Sequence, residues 1–127
     1  MKSLFVFFAL FAIQGIISVS RTSIKGDFDT LNKWCIQHDK GHLYVPTSST
    51  ASQAANVCST DNCYVGMHRA YDGSNVWVNI RYTSNVYSNW GWTSTYGSCV
   101  YLKYGGSYHG YIVPVDCNVN EYGLCEI

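Results

Sequence analysis

The chain passes through three hydrophobic rhythms. Leu4 to Ile13 form one continuous apolar run. From Asp27 to Gln37 the apolar residues fall at Phe28, Leu31, Cys35 and Ile36, the spacing of a helix face. Asp27 and Asp29 stand near its start, where the helix dipole favours negative charge, and Gly41 follows Lys40 as a stop signal. Thr50-Ala51-Ser52-Gln53 reads as a Thr-x-x-Gln capping box. It opens a shorter helix whose buried stripe is Ala51, Ala54, Ala55 and Cys58. After Cys58 the period becomes that of strands. Short β-prone runs are Tyr64 to Met67, Asn75 to Ile80, Cys99 to Leu102 and Tyr111 to Val113. Asp72-Gly73 and Gly105-Gly106 are turn signals. Helices early and strands late predict an α+β domain.

The first apolar run has the shape of an export leader. Lys2 precedes it, and Ser18 and Ser20 are the small residues at −3 and −1 of a cut after Ser20. Gln14 and Gly15 end the run well short of the roughly 20 apolar residues a membrane span needs. The expected organisation is a signal peptide over 1–20 and one domain over 21–127, secreted and without membrane insertion.

Composition narrows the function classes. With Lys2 set aside, the remainder carries seven Lys/Arg and eight Asp/Glu, which gives no basic field for nucleic acid or anionic lipid. The chain is rich in Tyr, Gly, Ser and Asn, with Trp at 34, 77, 90 and 92. All six cysteines lie in the expected mature part, and their even number suits disulfides in an oxidising compartment. They lack the short paired spacings of a zinc site. By themselves they allow fifteen pairings.

Taken in order, several segments resemble the C-type lectin-like domain family. Cys35 with Gly41-His42-Leu43 is similar to the family's first-helix cysteine and its Gly-His-Leu turn. Tyr64-Val65-Gly66-Met67 is similar to its Trp-Ile-Gly-Leu strand. Val76-Trp77-Val78 partly matches its Trp-x-Trp strand, and Tyr87-Ser88-Asn89-Trp90 its Tyr-x-Asn-Trp element. Cys99, Cys117 and Cys125 complete the frame. An alternative register with Cys58 as the first-helix cysteine would leave no second helix and lose the Gly-His-Leu match. The resemblance covers nearly all of the expected mature chain. It implies an α+β fold of two helices and short antiparallel strands, with bridges Cys35–Cys125 and Cys99–Cys117; Cys58 and Cys63 then remain for each other.

Many members of that family bind sugars through calcium. The resemblance places the ligands in a Glu-Pro-Asn or Gln-Pro-Asp loop and a Trp-Asn-Asp motif, and neither is present. Val113 and Pro114 stand where the metal-binding Asn and Asp would be. No Asp or Glu occurs between Asp72 and Asp116, whereas calcium takes six to eight oxygens, commonly including carboxylates. No cofactor or metal is therefore expected, and Asp116 is the one local donor left.

Catalysis has no signature here. The titratable candidates are His38, His42, His68, His109, Asp116, Glu121 and Arg69, and acid–base chemistry needs two of them on one reacting atom. A small secreted hydrolase would require a cleft joining His109, Asp116 or Glu121. Residues 81–111 instead mix Tyr and Trp with Ser, Thr, Asn and Gly, a composition that supplies rigid aromatic contacts and adaptable hydrogen bonds. Trp77 and Trp90 fall on the family's core positions. Trp92, Tyr96, Tyr104, Tyr108 and His109 fall in loop context and are the expected ligand-binding residues. The expectation is a non-catalytic, calcium-independent recognition domain for a glycan or an extracellular protein. The alternatives are a matrix, mucus or ice-interacting component and the small hydrolase.

Overall fold

The computed structural model describes residues 18–38, 41–71, 76–80, 87–92 and 97–127. The apolar run of the expected leader, the Asp72-Gly73 turn and Tyr96 lie outside the described residues. The elements are β1 (Val19–Arg21), α1 (Phe28–Gln37), α2 (Ala51–Cys58), β2 (Asn62–Arg69), β3 (Trp77–Asn79), β4 (Cys99–Lys103), β5 (Ile112–Val115) and β6 (Leu124–Glu126). A short 3-10 turn, Gly106–Tyr108, sits between β4 and β5. The result is an α+β fold with two antiparallel sheets.

The larger sheet has the order β3-β2-β4-β5. Its core face buries Val65, Met67, Val100, Leu102 and Ile112 against the alanine stripe of α2. Alternation within the strands puts Tyr64, Tyr101 and Val113 on the opposite face, beneath Phe28, Leu31 and Cys35 of α1. Pro114 sits in β5 opposite Val100, at the edge of the sheet, where a missing ladder donor is tolerated. Gly66 is required by close approach: a Cβ there would meet the Leu43 carbonyl oxygen at 2.5 Å. Its N–H donates to the Tyr44 carbonyl at 2.7 Å.

The second sheet pairs β1 with β6, Val19 opposite Glu126 and Ser20 opposite Cys125. Neither strand stands out in the hydrophobic pattern, because three residues are too few to show a period. β1 spans the expected cleavage point after Ser20, so a cut there would leave only Arg21 of this strand.

The disulfides are Cys35–Cys125, Cys58–Cys63 and Cys99–Cys117. The first ties α1 to β6 across 90 residues. On the chain-entropy model a loop of that length is worth about 4–5 kcal/mol, against about 2 kcal/mol for the short Cys58–Cys63 loop.

Two local expectations are corrected. Ile36 is 57% exposed, because it lies about 100° around the helix from Cys35 and so leaves the face shared by Phe28, Leu31 and Cys35. The capping box does not form at Thr50, whose side chain makes no cap hydrogen bond. Its hydroxyl is taken by Thr47 Oγ1 at 2.6 Å and by the Tyr44 hydroxyl. In α1, by contrast, Asp27 is a true N-cap: the Thr30 N–H donates to Asp27 Oδ1 at 2.8 Å. Those bonds to Thr30 hold the Asp27 carboxyl below its usual value.

Candidate functional site

The hairpin between β4 and β5 carries Tyr104, Tyr108 and His109 of the expected set. Its chain reverses through Gly105 and Gly106, at φ 83° and 69°, a backbone region that costs glycine little. His109 then braces the turn from inside. The Gly105 N–H donates to His109 Nδ1 at 2.7 Å, so Nδ1 is unprotonated. The proton must sit on Nε2, which faces the Ser52 carbonyl of α2 at 3.0 Å. The neighbouring Gly110 lies on the backbone of the same residue, 3.3 Å from a would-be Cβ to Ser52 Cα. The Tyr87 hydroxyl donates to the Gly110 carbonyl at 2.8 Å. The loop is thus fastened to α2 at one end and to the segment before Trp90 at the other.

On this brace stands a run of edge-to-face rings. Trp92 and Tyr108 meet at 5.7 Å, and Tyr108 and Tyr111 at 5.6 Å. Tyr104 packs against the His109 ring at 5.6 Å. Trp92, Tyr108 and Tyr104 remain 48%, 44% and 39% exposed. Lys103, the last residue of β4, places Nζ 5.8 Å from the Trp92 ring centroid.

The structure therefore gathers Trp92 and Tyr108 into one cluster with Tyr104 alongside. His109 lies among them, but its ring nitrogens are both committed to backbone, which makes it a positioning residue. Tyr96 lies outside the described residues. Lys103 escaped sequence reasoning: a lysine closing a strand carries no signal until the partner ring is known. Trp77 and Trp90 stand at 5.0 Å and pack, partly buried, against the larger core.

A second concavity lies at the other end of the sheet. A cleft of about 220 Å³ is lined by Asp27, Phe28, His68, Tyr71, Asn118 and the Cys99–Cys117 bridge. The His68 ring is 2% exposed, stacks on Tyr71 at 4.6 Å, and its Nδ1 lies 2.7 Å from the Arg69 carbonyl. His109, Asp116 and Glu121, the groups expected of a hydrolase, do not line this cleft. His109 precedes β5 and Asp116 follows it, so the length of that strand separates them. Asp116 Oδ1 accepts from the Asn118 N–H at 3.1 Å, and Glu121 Oε1 from the Tyr122 N–H at 3.1 Å. Both carboxylates serve their own turns. Tyr64, buried under α1, donates its hydroxyl to the carbonyls of Asp116 and Val119 at 2.9 and 2.7 Å. Burial pushes its neighbour Tyr101 up to about 12, so that ring stays neutral.

The arrangement has known counterparts. Human lithostathine matches with a TM-score of 0.73 and 17% identity, over 86% of this chain and 89% of that one. The C-type lectin domain of murine dendritic cell inhibitory receptor 2, solved in complex with N-glycan, matches with a TM-score of 0.70 and 16% identity, over 87% and 91%. A calcium-independent type II antifreeze protein matches with a TM-score of 0.67 and 12% identity, over 84% and 82%. At these identities the likeness speaks for the fold alone. No curated protein sequence matches the chain. The family model for the lectin C-type domain matches residues 25–127, which is most of the chain. The chain belongs to the C-type lectin domain family.

Proposed function

We propose that this protein is an exported, non-catalytic recognition domain that binds a glycan or an extracellular protein without calcium. The binding face is the surface of Trp92, Tyr104 and Tyr108, with Tyr96 as a further contact and His109 holding the loop. The observation that carries this reading is the pair Trp92–Tyr108: two large rings, fixed edge to face, yet about half exposed. Ring faces of this kind suit sugar C–H surfaces and form the anchors of protein interfaces. Membership of a lectin family supports the same direction, as does a fold relative solved with an N-glycan.

The calcium clause rests on chemistry at β5. Val113 and Pro114 offer no side-chain oxygen, and the Asp116 carboxylate already accepts from Asn118. Export rests on the leader pattern of residues 1–20 and on three disulfides, which persist outside the reducing cytosol. An ice or matrix surface would call for a flat, regular hydroxyl array. The exposed Thr47, Ser48 and Ser49 instead lie in a turn, with the Thr47 hydroxyl bonded to Thr50.

The test is a glycan-array and cell-surface binding screen with the mature chain, run with calcium and with chelator. Binding should appear in both conditions and weaken in Trp92→Ala. Thermal melts with millimolar calcium and with chelator should overlay. A rise of several degrees with calcium would overturn the calcium clause. Unchanged binding by Trp92→Ala would overturn the face.

A further inference from the structure

We infer that the aromatic face takes an acidic saccharide, and that Lys103 reads its anionic group. This rests on the recognition role proposed for that face and adds the chemical class of its ligand.

The first observation is a lysine with no acid beside it. The backbone of Lys103 is held on both sides, its N–H donating to the Tyr111 carbonyl and its carbonyl accepting from Gly110, each at 2.9 Å. Its stem is therefore anchored where the strand ends. Its ammonium stands 5.8 Å from the Trp92 ring centroid, a contact that leaves its three N–H donors available. Among the described residues no carboxylate lies within ion-pairing distance of Lys103. The nearest acid by strand position is Asp61, next to the cross-strand partner Asn62.

The second observation is the charge of the whole stretch. Residues 73–115 contain no Asp or Glu, and Arg81 and Lys103 are their only Lys or Arg residues. Arg81 lies outside the described residues. Both ring nitrogens of His109 are committed to backbone groups, Nδ1 to the Gly105 N–H and Nε2 to the Ser52 carbonyl. Among the described residues the face thus pairs apolar rings with the Lys103 ammonium. A sugar ring lying on Trp92 and Tyr108 would bring a carboxylate or sulfate to the ammonium, where a charge-assisted hydrogen bond forms. A neutral sugar hydroxyl would accept only the weaker hydrogen bond from Lys103.

The experiment is an array of sialylated, uronate-bearing and sulfated glycans printed beside their neutral parents. Wild type, Lys103→Gln, Lys103→Arg and Trp92→Ala are compared after thermal melts establish that each is folded. Wild type should favour acidic spots over their neutral parents by about 2–5-fold, the scale of one exposed charge pair. Lys103→Gln should lose that preference and Lys103→Arg keep it. Raising salt from about 0.05 to 0.5 M should weaken acidic spots more than neutral ones, because surface charges are screened. Equal binding to acidic and neutral partners, no binding to any acidic spot, or an unchanged preference in Lys103→Gln would each overturn the inference. If Trp92→Ala still abolishes binding in those cases, the recognition face stands and only the anionic ligand falls. If Trp92→Ala also has no effect, the face falls with it. Whether uronate, sialic acid or sulfate is preferred follows from the array's separate arms.

Discussion

Trp92 and Tyr108 face each other at 89° across 5.7 Å, while Trp90, two residues earlier, turns inward against Trp77. Neighbouring tryptophans therefore have opposite duties. The chain around Trp90 runs beside β5, bridged to Ile112; Trp90 packs against the core, while Trp92 is about half exposed. Trp90→Ala should lower stability by about 3 kcal/mol, at the low end for an aromatic truncation because the ring is only partly buried. Trp92→Ala should leave the melting temperature within a few degrees and cost roughly 1–3 kcal/mol of binding. Chemical denaturation and binding titrations of the two variants separate these outcomes. Equal loss of stability in both would make the patch packing.

The cut proposed after Ser20 would have a measurable consequence for the fold. Val19 packs against the larger core, and the Ile127 N–H donates to the Ser18 carbonyl at 2.9 Å. A chain beginning at Arg21 loses these contacts and two of the three β1–β6 residue pairs. It should be less stable than one beginning at Ser18 by about 1–3 kcal/mol. Urea midpoints of the two chains measure the difference, and the intact mass of the secreted protein reveals which start is used. Equal midpoints would mean that β1 contributes nothing.

His109 should act on binding through loop order. His109→Ala removes two hydrogen bonds, to Gly105 and to Ser52, and should cost about 1–2 kcal/mol while raising amide exchange across residues 104–110. In the wild type, ring nitrogen shifts by NMR should report a neutral Nε2–H tautomer. An Nδ1–H ring would contradict the brace.

Asp27 gives acid sensitivity a definite sign. Its carboxyl is held below the ordinary 3.8 by bonds to Thr30. The stability it contributes is present above that value and is lost as pH falls through the lower folded value. Asp27→Ala should cost about 1 kcal/mol at neutral pH, the usual worth of an N-cap. Asp27→Asn keeps an acceptor but lacks the titration, so its difference from wild type should shrink between pH 5 and pH 2. A constant difference would show that the charge is irrelevant.

Local physics made much of this protein legible from sequence. Both helices, the alanine stripe on α2 and the Asp27 start follow from period and charge, which act over one or two turns. All four strands of the main sheet were visible for the same reason, although β2 runs further than its apolar run. The resemblance carried the cysteine pairing that the structure contains. The rest depended on contacts between distant residues. Residues 124–126 become a strand because residues 19–21 lie on one side of them and residues 41–44 on the other. Thr50 gives up its capping role because Tyr44 and Thr47 compete for its hydroxyl. His109 turns from a presumed contact into a brace because Gly105 and Ser52 converge on its two nitrogens. Lys103 gains meaning from Trp92, eleven positions away. Periodicity reports which face of an element is apolar; which groups meet across elements is decided by packing, and the face proposed for recognition is made of such meetings.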